Sequence, residues 1–144
     1  MYARGNGFLK LSFAIGTVAD LAVAATWFLI AAGVALPNVL GGYVGSGADY
    51  RFAMFIAGLF LAGWGVILGW GYLRPRERRG LLPITALLIF ASNVIEVVAF
   101  PANVNGGLFL LGALLRAALV AKFMSSYLNS RRHDAKATSE EASG

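Results

Sequence analysis

The chain has no cysteine and a single histidine among 144 residues. Without cysteine there are no disulfides, no thiolate metal sites and no thiol redox chemistry. The histidine, His133, lies in the polar C-terminal stretch, so a bis-histidine haem or a histidine-built zinc site is not expected. Charge is scarce too. Asp, Glu, Lys and Arg make up 13% of the chain, against about 25% in a soluble domain. No glycine run is followed by Lys-Ser or Lys-Thr, and neither G-x-S-x-G nor HExxH occurs. Phosphate-loop, serine-hydrolase and zincin chemistry therefore have no motif to stand on. A Ser–His–Asp site would need His133, which sits outside the apolar part of the chain. The expectation is a protein that is not an enzyme and carries no cofactor or metal.

What the chain has instead is apolar sequence. Hydrophobic residues reach 58% and the mean hydropathy is +0.70, above the roughly 45–50% apolar content of soluble domains. Four long apolar runs cover about 8–36, 52–73, 81–100 and 107–128. A helix needs about 20 such residues to cross the hydrocarbon core. The fold class that follows is an all-α membrane protein, one four-transmembrane-helix bundle over residues 1–128. "LPNVLGGYVGSGADY", "RPRERRG" and "PANVNGG" punctuate the runs. The first run is longer than a signal-peptide core of about 7–15 residues and reads as a retained helix. Residues 129–144 are polar and aperiodic, which reads as a disordered cytoplasmic tail.

Orientation follows from the basic residues. Ten of the twelve Lys and Arg fall on one side of this topology, with Arg51 on the other and Arg116 inside the fourth span. The positive-inside rule then places both termini in the cytoplasm, in an inner membrane. The net charge of +5 is thus a membrane-flanking pattern rather than a nucleic-acid footprint. Arg74, Arg76, Arg78 and Arg79 are expected to meet anionic lipid headgroups, each at about 1 kcal/mol. Trp70, close to this end, reads as an interfacial anchor.

The second span has no ionisable residue between positions 52 and 73 and carries Gly58, Gly63, Gly65, Gly69 and Gly71. Gly58, with the Gly65/Gly69 GxxxG step, marks a helix-packing face, because small residues let helix backbones approach closely in lipid. Its partner, within the chain or on another subunit, is open at this level. The loop before it ends in Asp49, Tyr50 and Arg51. Asp49 and Arg51 are expected to pair with each other or to cap the second helix.

Asp20, Glu96 and Arg116 are the ionisable residues inside spans. Each costs about 2.5–3.5 kcal/mol at a helix centre. At about 1.5 Å per residue, Glu96 lies roughly 6–8 Å, Asp20 about 12 Å and Arg116 roughly 14–15 Å from the surface opposite the termini. At 100° per residue, Thr85, Ser92, Asn93 and Glu96 share one arc of the third helix. Glu96 is expected to pair with Arg116, with Gly112 leaving room beside the guanidinium. Asp20 is then left to hold a proton or a cation. Three functions fit these residues. The first is an accessory or assembly subunit of a membrane complex, or a homo-oligomer, held by these buried charges. The second is a small proton-coupled transporter or channel using Asp20 and Glu96. The third is a lipid- or quinone-binding protein with an apolar slot near Trp64. The corresponding partners are the lipid bilayer, other membrane subunits or a second copy, and no nucleic acid.

Overall fold

The computed structural model describes residues 3–38, 45–99 and 107–141. Among them the chain is all helix: α1 Ala3–Ala31, α2 Ala48–Leu73, α3 Leu81–Ala99 and α4 Gly107–Glu141. Each contains a stretch long and apolar enough to cross a membrane, so the chain is a small four-helix apolar protein of the membrane type. The 19 residues of α3, the shortest, span about 28 Å at 1.5 Å per residue. That nearly matches a hydrocarbon core of about 30 Å.

The boundaries of two helices differ from those expected. The first apolar run continues to residue 36, yet α1 stops at Ala31. Gly33 adopts φ +94°, and the backbone closes behind it. Gly33 N–H donates to Ile30 O at 2.9 Å, and Val34 N–H to Leu29 O at 3.0 Å. This is the Schellman closure, which satisfies the last carbonyls of a helix and favours glycine at the left-handed position. Hydropathy does not register it, because residues 32–36 remain mostly apolar. At the other end of the chain, α4 runs on from 128 to Glu141, where a disordered tail was expected. Arg79, from the α2–α3 turn, donates to Ser130 Oγ at 3.2 Å and forms an ion pair with Asp134. Polar residues thus hold the extension by a tertiary contact that composition does not reveal. Positions 100–106 and 142–144, including the "PANVNG" break, lie outside the described residues.

Between Leu73 and Leu81 the chain turns tightly, with Arg78 N–H on Arg74 O at 3.2 Å and Leu81 N–H on Arg78 O at 3.0 Å. Pro83 sits in the first turn of α3, where its missing N–H costs nothing because those donors lack intrahelical partners. The Arg79 contacts put this turn at the same end of the bundle as the end of α4. Ser12 and Ser126, both buried, hydrogen-bond at 2.6 Å and bring the start of α1 there as well. The start of α1, the arginine turn and the end of α4 therefore share one end, called the basic end below.

Packing is by pairs. α1 lies along α2, α3 along α4, and α1 meets α4 over a shorter stretch. One buried cluster joins all four helices in the basic half: Leu9, Phe13, Leu68, Leu82, Ala86 and Phe123. The α1–α2 contact uses the glycine face of α2. A Cβ at Gly58 would lie 2.9 Å from Phe28 Cε1, one at Gly65 3.2 Å from Leu21 and 3.3 Å from Asp20 Cβ, and one at Gly69 3.6 Å from Thr17. Gly71 is filled against by the Phe13 ring. Gly63, on the opposite face, meets nothing within 4 Å. The partner of the glycine face is thus α1 of the same chain. The bulky residues Phe60, Val66, Leu73, Leu87 and Val98 point outward, as expected where lipid is the solvent.

Gly58→Ile should therefore lower stability by about 1–3 kcal/mol through overpacking against Phe28. Gly63→Ile should leave it unchanged or raise it slightly through helix propensity. Thermal unfolding of the two variants in the same detergent checks the contrast, and equal losses would contradict the assignment of faces.

Candidate functional site: buried charges between the helices

Three of the four members of the polar arc of α3 turn inward. Thr85 is buried, donates to Leu81 O at 2.8 Å and accepts from Trp64 Nε1 at 3.1 Å. This bond ties the opening turns of α3 to α2. Asn93 is half-buried, and its Oδ1 is enclosed without a hydrogen-bond partner. Glu96 reaches α4. Ser92 is the exception, since its side chain is exposed and bonds Ile89 O of its own helix at 2.8 Å. A hydroxyl that returns its proton to a backbone carbonyl can face lipid at little cost. On the rest of α3, Leu87, Leu88, Ile95 and Val98 are exposed and Ala91 is half-buried.

Glu96 Oε2 accepts from Arg116 Nη1 at 2.7 Å, the length of a charge-assisted bond. Their side chains are 17% and 9% exposed, so this pair works in a weakly screening medium. Arg116 also donates through Nε to Gly112 O at 3.3 Å. Gly112 is one turn earlier on the same face, and having no side chain it leaves room for the guanidinium to fold back onto its carbonyl. The two charges cancel inside the α3–α4 pair.

Asp20 stands apart. It is half-buried at the α1–α2 contact, with its Cβ against Gly65. Oδ2 is enclosed and has no hydrogen-bond partner. Arg74–Glu77, Arg79–Asp134 and Arg116–Glu96 form ion pairs, and Asp20 belongs to none of these. The Ser12–Ser126 bond sets the register of α1 against α4. From that level Asp20 is about 12 Å along the bundle and Arg116 about 15 Å, at 1.5 Å per residue. The acid and the cation lie at similar depth, but the cation is already used by Glu96.

No family model, curated protein or solved structure matches this chain. The reading of the site therefore depends on its residues alone. No three His, Cys, Asp or Glu side chains converge among the described residues, so these provide no metal-binding set.

Two candidate regions lie at the ends of the bundle. Arg51 neither pairs with Asp49 nor caps α2. Its Nε donates to Ala31 O at 2.9 Å, where a cation meets the negative end of the α1 dipole. Gly47, φ +91°, is the N-cap of α2 and provides no side-chain cap. Asp49 is exposed in the first helical turn, and Tyr50 folds over Gly45. At the basic end, the arginines expected on lipid also make contacts within the protein. Arg74 meets Glu77 at 3.4 Å, Arg78 lies 3.2 Å above the Trp70 ring and bonds Trp70 O, and Arg79 holds Ser130 and Asp134. Such cation–π stacking is a usual arrangement for arginine beside an interfacial tryptophan.

Two polar contacts had no sequence signal. The Ser12–Ser126 bond joins residues 114 positions apart. Asn38, in the segment after α1, is buried, accepts from Trp27 Nε1 at 3.4 Å and faces Met54 Sδ at 3.9 Å. A lone Asn beside Pro37 reads as a turn residue, and only the return of α2 encloses it.

Arg116→Met leaves the Glu96 carboxylate buried without its counter-charge and should cost about 3–5 kcal/mol. The double variant Glu96→Gln/Arg116→Met removes both charges and should recover a large part of that loss. Detergent-phase unfolding of the single and double variants measures the difference, and equal destabilisation would reject the coupling.

Proposed function

We propose that this chain is a small proton-coupled membrane protein, a transporter or channel, in which Asp20 is the proton-binding group. The observation that carries the reading is the asymmetry of the three intramembrane charges. Glu96 and Arg116 neutralise each other at 2.7 Å, while Asp20 Oδ2 is enclosed without a partner. Intramembrane acids of this kind commonly mark proton relays. A carboxylate in hydrocarbon must be neutralised by a proton, a cation or a neighbouring subunit. The enclosure of Oδ2 arises within the protomer, between α1 and α2, where Asp20 packs on Gly65. A proton reaches such a position more readily than a lysine or arginine from another chain. Asn93 Oδ1, on α3 and also without a partner, is a further acceptor in the interior. On this reading Glu96 is structural rather than a second proton site.

The accessory-subunit or homo-oligomer reading keeps less support. Gly58, Gly65 and Gly69, which would serve a partner helix, are occupied by α1. The apolar slot near Trp64 is weakened as a quinone or lipid site because Trp64 Nε1 is engaged by Thr85. The proposed setting is the inner membrane with both termini in the cytoplasm. Its support is the gathering of basic residues at one end of the bundle.

Reconstitution in liposomes with an internal pH dye tests the function. Under an imposed membrane potential the wild-type chain should acidify the lumen. Asp20→Asn should reduce that rate by at least an order of magnitude while unfolding at nearly the wild-type temperature. Uptake that persists unchanged in Asp20→Asn would sink the proposal. Loss of a defined oligomer in Asp20→Asn, read by native mass determination, would favour the assembly reading instead.

A further inference from the structure

A groove of about 520 Å³ opens at the end of the bundle opposite the basic end, between the last turn of α1 and the first turns of α2. Its volume falls in the range of about 300–1,000 Å³ typical of small-molecule sites. Phe28, Phe52 and Phe55 form its apolar walls, Ala31, Ala32 and Ala48 keep it wide, and Arg51 stands at its rim. The Phe28 and Phe55 rings meet at 6.1 Å and 59°. Phe28 is fixed in turn by its seat on Gly58. Phe52 is 67% exposed and Phe55 45%, so the groove faces outward to the bilayer rather than into the bundle.

Its charge is distinctive. Arg51 is the one basic residue that the topology assigns to this end of the protein. Its guanidinium lies flat beside Gly33, whose added Cβ would be 3.5 Å from Cζ. Nε is committed to Ala31 O, which fixes the plane of the group and leaves the two terminal nitrogens at the rim as donors. Beside it the α2 N-terminus has no side-chain cap, so its first-turn N–H groups add positive potential. Asp49, in the same turn, is exposed and makes no ion pair with Arg51 among the described residues. An apolar trough ending in an oriented guanidinium at the level where the span ends matches one class of ligand. It takes an acyl chain along the phenylalanines and a phosphodiester at the head.

We propose that this groove binds one anionic phospholipid, with its phosphate on Arg51 and an acyl chain against Phe28, Phe52 and Phe55. The site is separate from the arginine turn at the basic end, which lies across the membrane from it. It is independent of any proton chemistry at Asp20. Asp49 opposes the phosphate electrostatically, so its removal strengthens binding. That sign distinguishes phosphate recognition from a purely apolar seat.

Native mass spectrometry of the full chain in detergent tests the site, with phosphatidylglycerol or phosphatidylcholine titrated as the probe. The wild-type chain is expected to retain one phosphatidylglycerol more tightly than the rest, with phosphatidylcholine weaker. Arg51→Gln should weaken that first binding event about tenfold, as expected for loss of a charge-assisted hydrogen bond. Asp49→Asn should strengthen it. Ala32→Trp fills the trough while keeping the Arg51 charge and should also abolish the tight event. This variant keeps the test valid should Arg51→Gln disturb the end of α1. Equal retention of phosphatidylglycerol by wild type, Arg51→Gln and Ala32→Trp would overturn the proposal. So would a dimer that Ala32→Trp dissociates, since the groove would then hold a second copy of the chain.

Discussion

A charge inside hydrocarbon has to be cancelled close by, and much of this structure is arranged around that constraint. Insertion of one ionised side chain at mid-span costs about 2.5–3.5 kcal/mol. The chain places an acid on α3 and a base on α4 so that they meet at 2.7 Å. Gly112, one turn from Arg116, lends its carbonyl to the same guanidinium at 3.3 Å. The pair orients α3 against α4, because turning either helix would expose an uncompensated charge. Such a pair adds little net stability compared with apolar residues of similar volume, and its value lies in fixing one arrangement.

The α1–α2 pair obeys a different rule. Among the described residues it contains no ion pair within the spans, and its contact is one of shape. Gly58, Gly65 and Gly69 let Phe28, Leu21 and Thr17 settle onto the α2 backbone, where dispersion accumulates as it does in other small-residue interfaces in lipid. The two pairs are then joined in the basic half by the Phe13–Leu68–Leu82–Phe123 cluster and the Ser12–Ser126 bond. Asp20 sits near this junction, on the pair that has no cation to offer it. Its isolation is thus a consequence of how charge and small residues are divided between the two halves.

Much of this was legible in the residues. Four spans follow from apolar run length, because the bilayer sets a nearly fixed helix length. The inward face of α3 follows from a 100° step, and Thr85, Asn93 and Glu96 obey it. The Glu96–Arg116 pairing follows from depth and charge. Several features were not legible. α1 ends at Gly33 through backbone hydrogen bonds, which hydropathy does not weigh. α4 extends to Glu141 with Arg79 holding Ser130 and Asp134, residues 51 and 55 positions away. Arg51 serves the end of α1 rather than its neighbour Asp49.

The sequence by itself determined the four long apolar helices and the position of each charge along them. These depend on composition and on the rise per residue, both local quantities. Only the tertiary structure decided which helix covers the glycine face of α2, and which of the two acids receives the single intramembrane arginine. Both depend on the azimuth and register of one helix against another, fixed by contacts such as Ser12–Ser126 and Trp64–Thr85. Such contacts join residues far apart in the chain, and no local pattern encodes them.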